Sequence, residues 1–129
     1  MVIDTSAVMA ILNLEPEAIT FASAISDCAT CLMSMGTALE LSIVVEARKG
    51  DEGTRELEFF LHRAEIELVS FDKDQLKMAR YAFKRYGKGR HRASLNFGDC
   101  FAYALSKTSG QALLFKGNDF SETDVIPAL

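Results

Sequence analysis

The sequence lacks any long apolar run. No stretch approaches the ~18–20 consecutive apolar residues that a membrane-spanning helix needs, and no signal peptide precedes the first predicted strand, which starts at Val2. From these two absences we expect a soluble protein of the cytoplasm.

Low-complexity tracts, internal repeats and linkers rich in proline or glycine are also absent. The chain of 129 residues is 49% hydrophobic and 25% charged, a composition typical of globular proteins rather than disordered ones. Because one hydrophobic core commonly serves ~100–200 residues, the sequence predicts a single domain over residues 1–129.

Cysteine is scarce, with only Cys28, Cys31 and Cys100. The first two have the C-x-x-C spacing of redox motifs and of half a zinc site. A zinc ion would need two further ligands, and only Cys100 and two scattered histidines are left to supply them. Cys31 adjoins Leu32 and Met33, so we predict that it is a small buried hydrophobic residue.

Acidic residues are missing from one segment of an otherwise acidic chain. The net charge is −4, yet residues 75–98 hold seven cations and no acid, which leaves seven cations against eighteen acids elsewhere. The seven are Lys77, Arg80, Lys84, Arg85, Lys88, Arg90 and Arg92. One basic segment on an acidic protein indicates a local site for a polyanion.

Short apolar strands alternate with helices along the chain. Strands are predicted at residues 2–3, 31–33, 66–71 and 112–115, with a short edge strand at 125–126. Helices are predicted at 7–14, 17–28, 37–49, 51–64, 72–86 and 96–107, with Gly50 ending the third. Strands that are nearly all apolar, each followed by a helix, indicate an α/β fold with a mostly parallel sheet covered on both faces.

Four acids occupy positions where a strand ends or a helix starts. Asp4 ends the first strand, Glu40 and Asp99 are predicted in the first turns of helices, and Asp119 follows the fourth strand. Each also fits a structural role: Asp4 as a helix cap, and Thr37-x-x-Glu40 and Asn96-x-x-Asp99 as capping boxes. Both interpretations hold for any one of them alone.

Taken together, the four acids favour a catalytic interpretation. In a parallel sheet the strand ends and the following helix starts lie at one edge, so Asp4, Glu40, Asp99 and Asp119 are predicted to converge. Crowded carboxylates repel one another unless a cation lies among them, and oxygen ligands suit Mg²⁺ or Mn²⁺. With basic residues nearby to reach a sugar-phosphate chain, the set predicts metal-dependent phosphodiester hydrolysis.

At these residues the sequence resembles the PIN-domain nucleases, in particular the VapC-type toxins of bacterial toxin–antitoxin pairs. The stretches that carry the resemblance are Val2-Ile3-Asp4-Thr5-Ser6-Ala7, Thr37-Ala38-Leu39-Glu40, Asn96-Phe97-Gly98-Asp99-Cys100-Phe101-Ala102-Tyr103-Ala104 and Leu114-Phe115-Lys116-Gly117-Asn118-Asp119-Phe120. The resemblance implies a three-layer α/β/α sandwich, with four to five strands in its sheet, and Mg²⁺-dependent RNA cleavage. It further implies a cognate antitoxin that lies across the toxin, and a homodimer.

Carried over to this chain, the resemblance makes Asp4 and Asp99 the core metal ligands and Glu40 the second acid and a further metal ligand, with Asp119 as a fourth catalytic acid. Many relatives place a fourth acid two residues before Asp119, where this chain has Gly117. Asp119 therefore either replaces that acid or only shapes the loop. Thr5 or Ser6 is expected to support the site by hydrogen bonding to its ligands.

The basic segment supplies the predicted RNA contacts, which are Lys84, Arg85, Lys88, Arg90 and Arg92. Alternatively, this segment is a solubilising helix face followed by a mobile loop. A second hypothesis for the whole chain is a module of the same fold that binds RNA or protein without cleaving, its carboxylates serving as helix caps.

Overall fold

The chain folds as short strands alternating with helices, and a computed structural model describes all 129 residues. The strands are β1 (Val2–Ile3), β2 (Cys31–Ser34), β3 (Ile66–Val69) and β4 (Leu113–Leu114). The helices are α1 (Thr5–Leu12), α2 (Ala18–Asp27), α3 (Met35–Arg63), α4 (Lys73–Tyr86) and α5 (Phe97–Ser109), and a single 3-10 turn covers Phe120–Glu122. None of the helices combines the length and the apolar character needed to cross a membrane.

The four strands form one sheet in the order β3-β2-β1-β4, and every pairing is parallel. All strands therefore end at the same edge. The chain moves outward from β1 in one direction to β2 and β3, and in the other direction to β4. β1 thus lies where the strand order reverses, which is the point at which open parallel sheets form a ligand crevice.

Helices cover both faces of the sheet, so the predicted three-layer sandwich is confirmed. Ile3, Met33 and Leu114 face a core that is closed by α1, α2 and α3. Val2 and Leu113 face the opposite core, which α4 and α5 close. Burial of neighbouring strand residues on alternate faces explains why β1 and β4 are apolar throughout, whereas the edge strand β3 carries the exposed Glu67.

Helix α3 differs from the prediction of two helices separated by Gly50. The segment Met35–Arg63 runs as one helix through a kink at Gly50, whose φ of 61° and ψ of −150° are not helical. Glycine adopts a positive φ at little steric cost, so the chain bends there and resumes the helix at once. The predicted break is present, but the predicted stop was wrong.

The start of α3 also differs from the prediction. Ser34, not Thr37, caps the helix, and its hydroxyl accepts the Gly36 N–H at 3.2 Å. Thr37 is fully buried within the first turn, and its hydroxyl has no hydrogen-bond partner. Glu40 consequently lies in the second turn of α3, and the capping box predicted for it does not exist.

The predicted edge strand at residues 125–126 does not form. Leu113 donates its N–H to Ile126 at 2.8 Å and accepts the Ala128 N–H at 2.9 Å, and this contact amounts to a single bridge between Leu113 and Pro127. Proline has no N–H to extend a ladder. The sheet therefore has four strands rather than five.

The cysteines carry free thiols. Cys31 is 4% exposed within the first core, which confirms its predicted packing role. Cys28, half-buried beside it, donates its thiol hydrogen to the Thr30 carbonyl. Cys28 and Cys31 do not belong to a group of three or more His, Cys, Asp or Glu side chains that could hold a metal ion.

Candidate active site

Asp4 lies in the crevice where β1 ends. Its backbone N–H donates to the Leu114 carbonyl at 3.0 Å, which fixes it beside β4. One carboxylate oxygen, Oδ2, accepts the Ser6 N–H at 3.0 Å and the Ser6 hydroxyl at 2.6 Å, so Asp4 caps α1 as predicted. The other oxygen, Oδ1, is buried and has no partner.

Burial makes the charge on Asp4 costly. The side chain is only 4% exposed, and burial raises the pKa of its carboxyl above the ordinary value, although the hydrogen bonds from Ser6 oppose this. The negative charge of Glu40 raises the Asp4 pKa further. A helix cap uses one carboxylate oxygen and does not require the second to be buried without a hydrogen-bond partner. Capping alone therefore does not explain why Oδ1 is buried and unpartnered.

Glu40 projects from the second turn of α3 toward the same crevice. The Thr5 hydroxyl donates to Glu40 Oε1 at 2.6 Å and so links the start of α1 to α3. Oε2 lies against Gly98, where even a Cβ would overlap with the carboxylate. Gly98 is therefore the residue that lets α5 approach α3 closely enough for the acids to meet.

Asp99 enters the crevice from the first turn of α5. Its carboxylate accepts the Asn96 N–H at 2.9 Å, and the Asn96 side chain accepts the Asp99 N–H at 2.9 Å. This is the predicted capping box. Burial raises the pKa of Asp99 to about 7 despite the Asn96 hydrogen bond, and the charges of Asp4, Asp119 and Glu40 contribute to the rise.

The three acids line one open pocket of about 410 Å³. Its lining also includes both residues predicted to support the ligands: Thr5 hydrogen-bonds to Glu40, and Ser6 to Asp4. The Ser6 hydroxyl additionally accepts the Lys116 N–H at 2.9 Å, which attaches the segment after β4 to the pocket.

Asp119 is not among the residues that line the pocket. It is exposed and precedes the 3-10 turn, without a side-chain hydrogen bond to cap it. Its charge still reaches Asp99, whose pKa it helps to raise. Gly117, where many relatives carry an acid, has a φ of 98° and open space around it.

Two cations in the pocket were missed by the sequence analysis. Lys116 is neutralised by Glu15 at 2.6 Å and Glu17 at 3.2 Å. Arg48 is exposed and belongs to none of the ion pairs of the chain. The four-residue spacing from Glu40 through Val44 to Arg48 was the available signal, because it puts all of them on one helix face.

The pocket fits a divalent cation in its chemistry. Its ligating atoms are carboxylate oxygens, which Mg²⁺ and Mn²⁺ prefer, and the dry, unpartnered Oδ1 of Asp4 is available to a cation. The carboxylates are not drawn together into a compact group of three.

The predicted RNA-binding residues do not form a single group. Lys84 and Arg90 line a shared depression on α4, whereas Arg92 pairs with Glu122 at 2.6 Å. The Arg85 guanidinium lies 5.4 Å from the centre of the Tyr86 ring. Lys88 is exposed in the loop before α5. None of these side chains lines the carboxylate pocket.

Comparison with known proteins identifies the family. A family model described as the PIN domain matches residues 1–126. The chain belongs to the PIN-domain family. It is 57% identical over 125 residues to the protein named Ribonuclease VapC of Mycolicibacterium smegmatis, and the match covers 97% of both chains. Within the PIN-domain family it therefore groups with the VapC ribonucleases, as predicted.

Solved structures share this PIN fold at low sequence identity. The Mycobacterium tuberculosis toxin VapC20, described as cleaving the sarcin–ricin loop, superimposes with a TM-score of 0.77 at 16% identity over 97% of this chain and 95% of that one. A chain of a toxin–antitoxin complex from Klebsiella pneumoniae gives 0.71 at 14% identity, over 99% and 97% of the two chains.

The raised pKa of Asp99 predicts how the stability of the metal-free protein depends on pH. Because the folded-state pKa of about 7 lies above the ordinary 3.8, the stability that Asp99 contributes is fully present below about pH 4. It is lost as the pH rises through about 7. In EDTA, Asp99→Asn should therefore gain stability over the wild type between pH 5 and 8, by at most about 1.4 kcal/mol for each pH unit.

Thermal unfolding of both proteins across this pH range measures the effect. Asparagine at position 99 keeps an acceptor for the Asn96 N–H, so the capping box survives. Glu58→Gln, an exposed change on α3, is the control and should follow the wild type at every pH. Parallel curves for Asp99→Asn and wild type would show that the Asp99 carboxyl titrates normally.

Proposed function

We propose that this chain is a divalent-metal-dependent endoribonuclease that acts as the toxin of a bacterial toxin–antitoxin pair. The observation that carries the proposal is Asp4: a buried carboxylate with one oxygen unpartnered, in the same pocket as Glu40 and Asp99. PIN-domain ribonucleases generally depend on a divalent metal. The hard oxygen ligands favour Mg²⁺, with Mn²⁺ as a substitute.

In this proposal Asp4 and Asp99 hold the cation. When bound, such a cation supplies positive charge at the scissile phosphate and acidifies water. Thr5 holds Glu40 by donating to Oε1, which positions the Glu40 carboxylate to accept a proton from the attacking water. Ser6 holds Asp4 in place through Oδ2 and leaves Oδ1 for the metal. Asp119 contributes through its charge rather than as a ligand.

The pairing with an antitoxin, the homodimer and the cytoplasmic location belong to the same proposal. Support comes from the similarity to a chain of a toxin–antitoxin complex and from the VapC relatives. Growth arrest on expression, relieved by co-expression of the protein encoded immediately upstream, would test the pairing. Light scattering of the purified chain would report whether it dimerises.

The non-catalytic alternative predicts a different result on metal removal. With a fluorescently labelled RNA, we expect cleavage in Mg²⁺ or Mn²⁺, none in EDTA, and full recovery after Mg²⁺ is returned. Mapping of the new RNA ends reports the site of cleavage. RNA that is bound but stays intact in both metals would contradict the enzymatic proposal and favour a binding module.

Arg48 is the cation best placed to bind the RNA phosphate next to the pocket. Its charge is unpaired, whereas that of Lys116 is taken by two glutamates. We expect Arg48→Ala to raise KM about tenfold and to change kcat much less. The slope of log affinity against log salt should fall by the contribution of roughly one phosphate contact.

Arg55→Ala provides a matched control for Arg48→Ala. Arg55 is also exposed on α3 and in no ion pair, but it does not line the carboxylate pocket. Cleavage kinetics at several salt concentrations should leave this variant unchanged. Equal KM values for the Arg48 variant and the wild type would remove Arg48 from the RNA path.

A further inference from the structure

One face of α4 is exposed along its whole length and is unusual in composition. At helical spacing the residues Leu76, Arg80, Lys84, Tyr81 and Phe83 share this face, while Gln75, Ala82 and Tyr86 point into the protein. The exposed Asp74 lies in the first turn of α4, and from Gln75 to Tyr86 the charged residues of the helix are all cations. Folding alone explains neither the exposed rings nor this run of cations.

The aromatic rings on this face are accessible to solvent. Tyr81 is 45% exposed and Phe83 39% exposed. The Phe83 ring packs against Gly87, where a Cβ would crowd it, and the Arg90 guanidinium lies 5.6 Å from its centre. Packing on two sides holds this ring in place, and Tyr81 beside it remains open to a ligand.

The cations on this face are free. Arg80, Lys84 and Arg90 are in none of the ion pairs of the chain, and with Tyr81 and Phe83 they line a shallow depression of about 600 Å³. Arg80 and Lys84 are one helical turn apart, about 6 Å along the axis. That spacing resembles the distance between neighbouring phosphates of an extended nucleic acid strand.

We propose that this face of α4, together with Arg90, binds an unpaired stretch of RNA: Tyr81 stacks on one base, and Arg80 and Lys84 bind the phosphates on either side. The inference rests on the proposed function and assigns residues outside the pocket that hold the RNA strand. Aromatic rings flanked by cations are how proteins bind single strands without reading their sequence, because every base offers a π-face.

A short loop connects this surface to the catalytic pocket. Arg90 lies in the loop that closes through a bridge between Gly87 and Leu95, and the next residue, Asn96, lines the pocket. A duplex would keep its bases stacked inside and could use only the cations. The exposed ring of Tyr81 therefore favours a loop or single strand over a duplex.

Binding is best measured in the Asp99→Asn background, which keeps the RNA intact. The probes are a fluorescein-labelled oligoadenylate and its duplex with oligouridylate. Tyr81→Ala should weaken binding of the single strand about tenfold, the value of one stacked base, without changing its salt dependence. Duplex binding should be unaffected, and Tyr81→Phe should retain full affinity because it retains the ring.

Removal of the two cations should produce the opposite pattern. Arg80→Gln with Lys84→Gln should reduce the slope of log affinity against log salt by about 1.4, since each contact to a single-stranded phosphate contributes about 0.7. Phe59→Ala, which removes a ring that is 66% exposed on α3, is the matched control and should bind both probes like the parent. Thermal unfolding verifies that every variant is folded.

Several outcomes would overturn the inference. One is a Tyr81→Ala variant that binds the single strand as tightly as the parent, and another is an equal loss on single strand and duplex. Displacement of the RNA by polyglutamate, with Tyr81→Ala without effect, would assign the surface to an acidic protein instead. If wild-type protein cleaves no RNA but Tyr81 still governs binding, the proposed function fails and this inference survives.

Discussion

Replacing Asp4 or Asp99 by asparagine should abolish metal-dependent RNA cleavage and leave the protein at least as stable as the wild type. Each substitution removes a negative charge from the pocket without changing the size of the side chain. Loss of a residue that merely supports a metal ligand typically costs 10–100-fold. Loss of a ligand should therefore lower the cleavage rate by more than about a hundredfold.

These two substitutions separate chemistry from helix capping. Asp4 caps α1 and Asp99 takes part in the capping box of α5, and asparagine caps helices about as well as aspartate. If capping were their only purpose, both variants would behave as wild type. Burial also raises the pKa of each carboxyl, so removal of these charges relieves an unfavourable desolvation rather than breaking a stabilising pair.

Asp72→Asn is the matched control for these substitutions. Asp72 caps α4 by accepting the Gln75 N–H at 2.9 Å, and it does not line the pocket. Its variant should cleave like the wild type. The measurements are the cleavage rate of a labelled RNA at saturating Mg²⁺ and thermal unfolding of each protein. Full activity in both the Asp4 and Asp99 variants would contradict the assignment of these acids to catalysis.

The sequence predicted the position of Asp4 and Asp99 because parallel topology alone determines which strand ends and helix starts lie together. The capping box of Asn96 and Asp99 is a local pattern, so it too could be read from the sequence. Glu40 was correctly predicted to line the pocket, although it was predicted in the first turn of its helix and lies in the second. Ser34 and Thr37 are both good N-caps, and both are fully buried in the folded protein. The choice of Ser34 follows from the end of β2 at that residue, which local pattern did not reveal.

The rest of the site depends on tertiary contacts, which could not be predicted from the sequence. Arg48 reaches the pocket from two turns beyond Glu40, and Lys116 reaches it only because Ser6 binds its N–H. The four-residue spacing indicates that Arg48 shares a helix face with Glu40, but the contact of either cation with the pocket does not follow from local pattern alone. The basic segment looked uniform in the sequence, yet Arg92 is paired with Glu122 across the fold. Which cations remain free for RNA depends on acids that come from other parts of the chain.

Gly98→Ala is the second substitution with a large expected effect, because the added methyl group has two opposing consequences for stability. Alanine is favoured over glycine within a helix by about 1 kcal/mol, and Gly98 lies in the first turn of α5. Taken alone, this preference would make Gly98→Ala stabilising. The new Cβ, however, would overlap with the Glu40 carboxylate, and overpacking a filled site costs typically 1–3 kcal/mol.

We expect the overlap to prevail because Thr5 holds the Glu40 carboxylate in place, so that Gly98→Ala destabilises the protein by up to about 2 kcal/mol after the helix preference is subtracted. The effect on catalysis should be larger. Glu40 must move to admit the methyl group, and a displacement of about 1 Å at a catalytic group can cost about a hundredfold in rate. Cleavage by the folded variant should therefore fall by one to two orders of magnitude, roughly.

A double-mutant cycle with Glu40→Ala tests the cause of the stability loss. Once the carboxylate is gone, Gly98→Ala should become neutral or stabilising, because only the helix preference remains. Gly53→Ala is the control for catalysis: a Cβ there would crowd Lys49 and Val45 within α3, away from the pocket. It should lose stability while the folded fraction keeps its cleavage rate. An active, fully stable Gly98→Ala variant would mean that α5 and Glu40 do not meet as closely as this geometry requires.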